Sequence, residues 1–187
     1  MPTTPWPKNI GPVLLREPRE ADIAPLEMVR NDPQVNRFML RTSVDPSTFR
    51  RELLEIPQSA TDFSCVAEVD GETVAIGFLE ISDGMGQPGM PRGTEAGIGY
   101  VVDPAHAGRG IGSAVARGLL AAAFEHLGVR RVTAGCFADN GASARVLEKA
   151  GMRREQHGVQ DSWHAELGWV DGYTYGMLAH EWRAQHR

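Results

Sequence analysis

Ile98-Gly99-Tyr100-Val101-Val102-Asp103-Pro104, followed almost at once by His106-Ala107-Gly108-Arg109-Gly110-Ile111-Gly112, is the stretch on which the reading of this chain turns. The first run is apolar, β-branched and aromatic and closes on Asp-Pro, so it predicts a strand ending in a turn. After the glycines, Ser113 to Leu127 carries Val115, Leu119, Ala123 and Leu127 at intervals of four, which predicts a helix with one buried stripe. Gly128 stands where a left-handed residue would end that helix.

A strand therefore enters a glycine-rich turn that opens a helix. First-turn N–H groups of a helix have no internal partners and form an anion site. Gly108, Gly110 and Gly112 remove the Cβ atoms that would hold a phosphate off the backbone, and Arg109 offers a charge that can pair with it. Two nucleotide readings fail on the letters. A P-loop needs Lys and then Ser or Thr after its last glycine, whereas Gly112 is followed by Ser113-Ala114. A dinucleotide fingerprint starting at Gly108 needs a glycine at 113.

Ala107-Gly108-Arg109-Gly110-Ile111-Gly112 resembles the pyrophosphate loop of the GNAT superfamily of N-acetyltransferases, in which Gln or Arg and two further residues precede Gly-x-Gly or Gly-x-Ala. Ala107 replaces the leading Gln or Arg, and the rest fits. A second segment, Asn140-Gly141-Ala142-Ser143-Ala144-Arg145-Val146-Leu147-Glu148-Lys149-Ala150-Gly151-Met152, resembles a stretch of the branch that contains the ribosomal-protein N-terminal acetyltransferases. The resemblance runs from about Val13 to Trp182.

It implies an α+β, single-domain GNAT fold: a mixed, mostly antiparallel sheet of six to seven strands, splayed between the fourth and fifth, with about four flanking helices. It implies acetyl-CoA as co-substrate, its diphosphate on Ala107 to Ser113 and its pantetheine arm beside Tyr100, Val101 and Val102, with Asn140 bonding the pantetheine amides. The activity implied is acetyl transfer to a primary amine, either a protein N-terminus or a small molecule, by direct attack in a ternary complex. A homodimer is compatible with this branch. The rival from another class is a non-catalytic acyl-CoA binding or sensing module.

Two departures make that rival thinkable. Many members of the branch read Glu-Ile-Gly-Tyr where this chain reads Gly97-Ile98-Gly99-Tyr100, so a carboxylate expected at 97 is missing. The position matching the tyrosine that protonates the leaving thiolate in many GNAT enzymes is Leu147. Glu95, on the same strand face as Gly97, is the candidate general base, against a reading as a solvated strand-end carboxylate. Ser143, one turn before Leu147, is the candidate to hold the sulfur or pass it a proton, against a reading in which it only takes part in capping the helix.

The remaining sequence sets bounds. At 187 residues with a net charge of −5, the chain fits one domain and carries no basic stripe to displace counterions from nucleic acid. Without a long apolar run or a leader, the expected location is cytoplasmic, with no membrane partner. Cys65 and Cys136 read as two reduced, buried thiols, and His106, His126, His157 and His164 lack metal-ligand spacing, so no metal site is expected.

Met1 to Pro12, with four prolines, is expected to be an arm outside the core, leaving 13–187 as the domain. Strands are expected at Val13–Arg16, Phe63–Val69, Thr73–Ile81, Thr94–Val102 and Arg131–Phe137, and a closing hairpin at His157–Glu166 and Trp169–Leu178. Gly97 and Gly99 suggest a bulge or close approach by another backbone. Helices are expected from Arg19 to the Asp32-Pro33 break, with Ile23, Leu26, Met28 and Val29 inward, at Pro46–Ile56, and at Ala142–Ala150 capped by Asp139 or Asn140. Between the first two helices, the resemblance implies a segment on the acceptor side of the cleft in which Arg37, Phe38 and Arg41 are candidates for choosing the acceptor, against a reading as a surface loop with two solvated arginines. Glu166, His164 and Asp171 could face the same cleft.

Overall fold

Each apolar run becomes a strand of one mixed sheet in a computed structural model of the protein, which describes residues 4–186. The strands are β1 (Lys8–Ile10), β2 (Val13–Arg16), β3 (Cys65–Val69), β4 (Glu72–Ser82), β5 (Glu95–Val102), β6 (Arg131–Phe137), β7 (Arg153–His164) and β8 (Gly168–Leu178). Their order is β1-β2-β3-β4-β5-β6-β8-β7, antiparallel throughout except between β5 and β6. The helices are α1 (Ile23–Asn31), α2 (Pro33–Asn36), α3 (Pro46–Glu55), α4 (Ile111–Ala121), α5 (Gly141–Lys149) and α6 (Ala179–Gln185). The class is α+β, as expected, with one more strand and two more helices.

Local chemistry sets most element ends. Asp45 caps α3 by accepting from the Thr48 N–H at 2.9 Å, with Pro46 pre-set in the first turn. Asp70 and Gly71 both take positive φ, 51° and 85°, which is the geometry a two-residue β3–β4 hairpin needs. Helix α4 runs on through a π-type turn, Ala122–His126, before Gly128 reverses the chain at φ 66°.

Both sheet faces are covered. On one side α4 packs Val115 and Leu119 against β4, where a side chain on Gly77 would lie 2.9 Å from Val115, so this glycine permits the close approach. On the other, Ile23 and Leu26 of α1 and Phe49 and Leu53 of α3 pack on Val66 and Ile76. The Arg16 guanidinium ties β2 to the segment before α1 by two 2.8 Å bonds to the buried Asp22 carboxylate.

Four expectations are corrected. Within the expected arm, residues 1–3 lie outside the described residues, but Lys8–Ile10 pairs with Val13–Leu15 to add the eighth strand. Trp6 is buried and donates its indole N–H to the Phe63 carbonyl at 2.9 Å, so this segment belongs to the core. Gly97 and Gly99 do not form a bulge, because the β4–β5 register is unbroken from Ala75–Val102 to Ser82–Glu95. Met28 is 73% exposed, since α1 needs only its Ile23, Leu26 and Val29 stripe to cover the sheet. Cys136 is half-buried, unlike Cys65. Among the described residues no helix is long and apolar enough to cross a membrane.

Candidate functional site

β5 and β6 stay together only at Glu95–Gly97 with Arg131–Thr133, and then part. From Ile98 onward β5 has no neighbour on that side, because β6 goes on pairing with β8. A cavity of about 630 Å³ opens in the gap. Its walls come from both sheet faces: Ile98, Gly99 and Tyr100 of β5, Ala134 to Phe137 of β6, Asn140, Ser143 and Leu147 around α5, and Phe38 to Arg41, Phe49 and Glu52 from the α1–α3 side.

The loop before α4 supplies none of the cavity wall and adjoins it through Gly112, where an added Cβ would lie 3.7 Å from Tyr100. Gly108 and Gly110 take φ of 76° and 78°, and a Cβ built on either would meet nothing within 4 Å, so the backbone is bare on its outer side. Ala107 gives its N–H to Pro104 and Ala114 gives its N–H to Gly110. Between them, among the described residues, the N–H groups of Gly108, Arg109, Gly110, Ile111, Gly112 and Ser113 have no protein acceptor. Six successive free amides at the start of an eleven-residue helix fit a diphosphate. Arg109 stands exposed beside them. Gly112 faces inward instead: a Cβ there would touch Val102, Tyr100 and Val146 at 3.6–3.8 Å.

At the middle of the gap the Tyr100 hydroxyl lies 3.0 Å from Ser143 Oγ and 3.3 Å from the Ser143 carbonyl. Burial pushes the Tyr100 phenol up to about 12, although its bond to Ser143 pulls the other way. Asn140 caps α5, its Oδ1 accepting the Ser143 N–H at 3.1 Å, which leaves its amide N–H₂ free for another partner. Cys136 also lines the cavity, and burial raises its thiol above the ordinary value, with Glu148 adding to the shift.

Tyr100, Asn140 and Ser143 thus come together in the cavity wall, and the glycine loop lies outside it, next to Tyr100 through Gly112. Glu95 does not join them: its carboxylate pairs with Arg130 and lies 4.0 Å from Arg131 at the start of β5, before the strands part, and it is not in the cavity wall. Val101 is buried against the β4 side and Val102 sits near Gly112, so neither lines the cavity, although both follow Tyr100 along the strand. The N–H of Ala107 is already committed.

Phe38 and Arg41 line the cavity on its α1–α3 side, while Arg37 lies over the Phe38 ring and 4.0 Å from Glu166. His164 is buried edge-on to Phe38 and Phe137, its Nδ1 accepting the Glu166 and Leu167 N–H groups, and Asp171 is bound to His157 at 2.6 Å. None of Glu166, His164 and Asp171 is in the cavity wall. Glu80 and Asp161, which the sequence reading passed over, are in it. The pairing of Glu80 with Gly97 belongs to the β4–β5 ladder, whose register is set across the long loop 83–94, and no local sequence signal marked it.

A family model for the acetyltransferase (GNAT) domain matches residues 13–153, well over half of the sequence. The chain belongs to the GNAT acetyltransferase family. It is 34% identical over 85 residues to YnaD of Bacillus subtilis (strain 168), described as an uncharacterized N-acetyltransferase; the match covers 46% of this chain, which spans about half, 49%, of that relative's length. Among solved structures, spermidine N-acetyltransferase from Vibrio cholerae, in complex with CoA and spermine, superposes with a TM-score of 0.79 at 14% identity, over 92% of this chain and 98% of that one. Mycobacterium smegmatis RimJ, in complex with CoA-disulfide, does so at 0.76 and 22%, over 99% and 98%. At these identities the two structures bear on the fold, and their acceptors remain their own.

Proposed function

We propose that this GNAT chain is an acetyl-CoA-dependent N-acetyltransferase that moves an acetyl group to a primary amine, of a protein N-terminus or a small molecule, by direct attack in a ternary complex. One observation carries the reading: a run of unpartnered amides on a bare glycine loop that adjoins Tyr100, in the wall of the cleft where β5 and β6 separate. The amides from Gly108 to Ser113 would hold the diphosphate, the Asn140 amide a pantetheine carbonyl, and the unpaired edge of β5 beyond Ile98 the rest of the arm. The acyl sulfur would then reach the level of Ser143.

Bound there, acetyl-CoA supplies a thioester carbonyl to an amine entering from the α1–α3 side. The Tyr100–Ser143 hydroxyl pair is the nearest proton source for the departing sulfur, and a phenol held near 12 keeps its proton at neutral pH. Cys136 is a poor nucleophile because burial keeps its thiol protonated, which favours direct attack over an acyl-cysteine route. The acceptor stays within the primary amines, and the two solved relatives above, a spermidine acetyltransferase and RimJ, leave that range open.

Release of free CoA thiol, followed colorimetrically with acetyl-CoA and either spermine or a hexapeptide with a free α-amine, tests the reading. Amine-dependent thiol release is the expected result. CoA binding without release on any primary amine would overturn it in favour of a binding module.

A further inference from the structure

Resting on the acetyl-transfer reading, we propose that Glu80 receives the acceptor amine and takes its proton. Glu80 lies on β4 directly opposite Gly97 of β5, and residues directly opposite in an antiparallel ladder project from the same face. Phe78, two residues earlier on that face, is opposite Gly99, and Phe78, Glu80 and Gly99 all line the cavity. Gly97 carries no side chain, and a Cβ built on it would meet nothing within 4 Å. Position 97 therefore puts no side chain between Glu80 and the point where β5 and β6 part.

Charge placement singles out the same residue. The charged side chains in the cavity wall are Arg30, Arg41, Glu52, Glu80 and Asp161. Arg41 and Glu52 pair at 2.8 Å, Arg30 donates to Asn36 Oδ1 at 2.8 Å, and Asp161 accepts the Ser162 hydroxyl at 2.8 Å. Asp62, bridged to Glu80 through the backbone, spends its carboxylate on the Ser64 N–H. Among the described residues the Glu80 carboxylate has no hydrogen-bond or ion-pair partner, and it is exposed to solvent. Among the described residues Glu80 is thus the charged wall residue whose head group has neither an ion-pair nor a hydrogen-bond partner, and a carboxylate in that state can receive an alkylammonium.

The proton inventory closes. An ammonium group gives one proton to Glu80, directly or through one water, and Glu80 releases it to solvent. The freed lone pair forms the C–N bond as the C–S bond breaks, the Tyr100–Ser143 pair gives the sulfur its proton to form CoA thiol, and the second nitrogen proton, relayed through water, restores the pair and leaves the amide.

The test compares Glu80→Gln, Gly97→Glu and the double variant with the wild-type chain, using spermine and a free-α-amine hexapeptide, with CoA affinity measured calorimetrically for each. Glu80→Gln should keep CoA affinity and lose about 10²-fold in kcat/KM at pH 7. With the peptide, that deficit should shrink as pH passes the α-amine's own pKa of about 8, where the nucleophile arrives neutral. Adding Gly97→Glu, which restores a carboxylate on the same face from the facing strand, should recover activity to within about tenfold of wild type. A Glu80→Gln enzyme within threefold of wild type, or a deficit that is constant with pH and unrescued by Gly97→Glu, would overturn the proposal. A wild-type chain that binds CoA and acetylates neither amine would instead sink the transferase reading beneath it.

Discussion

The Tyr100 hydroxyl and Ser143 Oγ lie 3.0 Å apart, joining β5 to α5 across the gap that β6 vacates. Tyr100 is placed there by its strand, opposite Gly77, and Ser143 by a helix start that Asn140 fixes. Both residues line the cavity, and on the proposed reading the pair would stand at the thioester sulfur and supply its proton.

Removing either hydroxyl should slow the reaction without weakening CoA binding. Tyr100→Phe and Ser143→Ala are each expected to lower kcat by roughly 10²-fold, with CoA affinity within about threefold of wild type. In the wild-type chain the phenol should stay protonated until about pH 12, so kcat should show no fall from its ionisation between pH 7 and 10. Steady-state kinetics across that range, beside calorimetric titration with CoA, check both statements.

Gly110 supplies the bare backbone of the loop at φ 78°. Gly110→Val puts a branched side chain in the space above the free amides and forces it into a left-handed conformation, a strain of about 1–3 kcal/mol. CoA affinity should fall at least tenfold, while circular dichroism should show the fold retained with a lower Tm.

The Arg16–Asp22 pair carries an acid-sensitive part of the stability. Burial alone would raise the Asp22 carboxyl, but bonds from Arg16, Thr73 and the Arg19 N–H outweigh it and hold the pKa below the ordinary 3.8. A depressed carboxyl pKa stabilises the fold above the unfolded-state value, and this contribution is lost as pH falls through the lower folded value. Denaturant melts should therefore show stability dropping below about pH 4, and Asp22→Asn, which leaves the buried Arg16 with Glu68 as its remaining carboxylate partner, should cost roughly 1–3 kcal/mol at pH 7 and flatten that acid limb.

Helix α4 rests on β2 through Gly118, where an added Cβ would collide with Leu15. Gly118→Ala gains helix propensity but overpacks this contact, and a net destabilisation of about 1–3 kcal/mol is expected. Urea unfolding gives the number.

Much of this was legible in the letters because the local signals were strong. The Val13–Arg16 and Arg131–Phe137 strands, the Asp45-Pro46 helix start and the Gly151 helix end all stand where composition placed them, and the glycine loop does open a helix with free amides. What escaped was set by pairing between distant segments. Lys8–Ile10 becomes a strand only because β2 turns back beside it, and four prolines hid that. Glu95 and Glu80 are both near the splay in sequence terms, but the ladder sends Glu95 to Arg130 and puts Glu80 in the cleft wall. The two glycines at 97 and 99 looked like a bulge and are instead clearance.

The most direct test of the account is a crystal structure of the chain with CoA. The diphosphate oxygens should lie within hydrogen-bond distance of the N–H groups between Gly108 and Ser113, with the sulfur between the parted strands beside Ser143. A CoA diphosphate bound away from that loop, or a sulfur outside the β5–β6 gap, would contradict it.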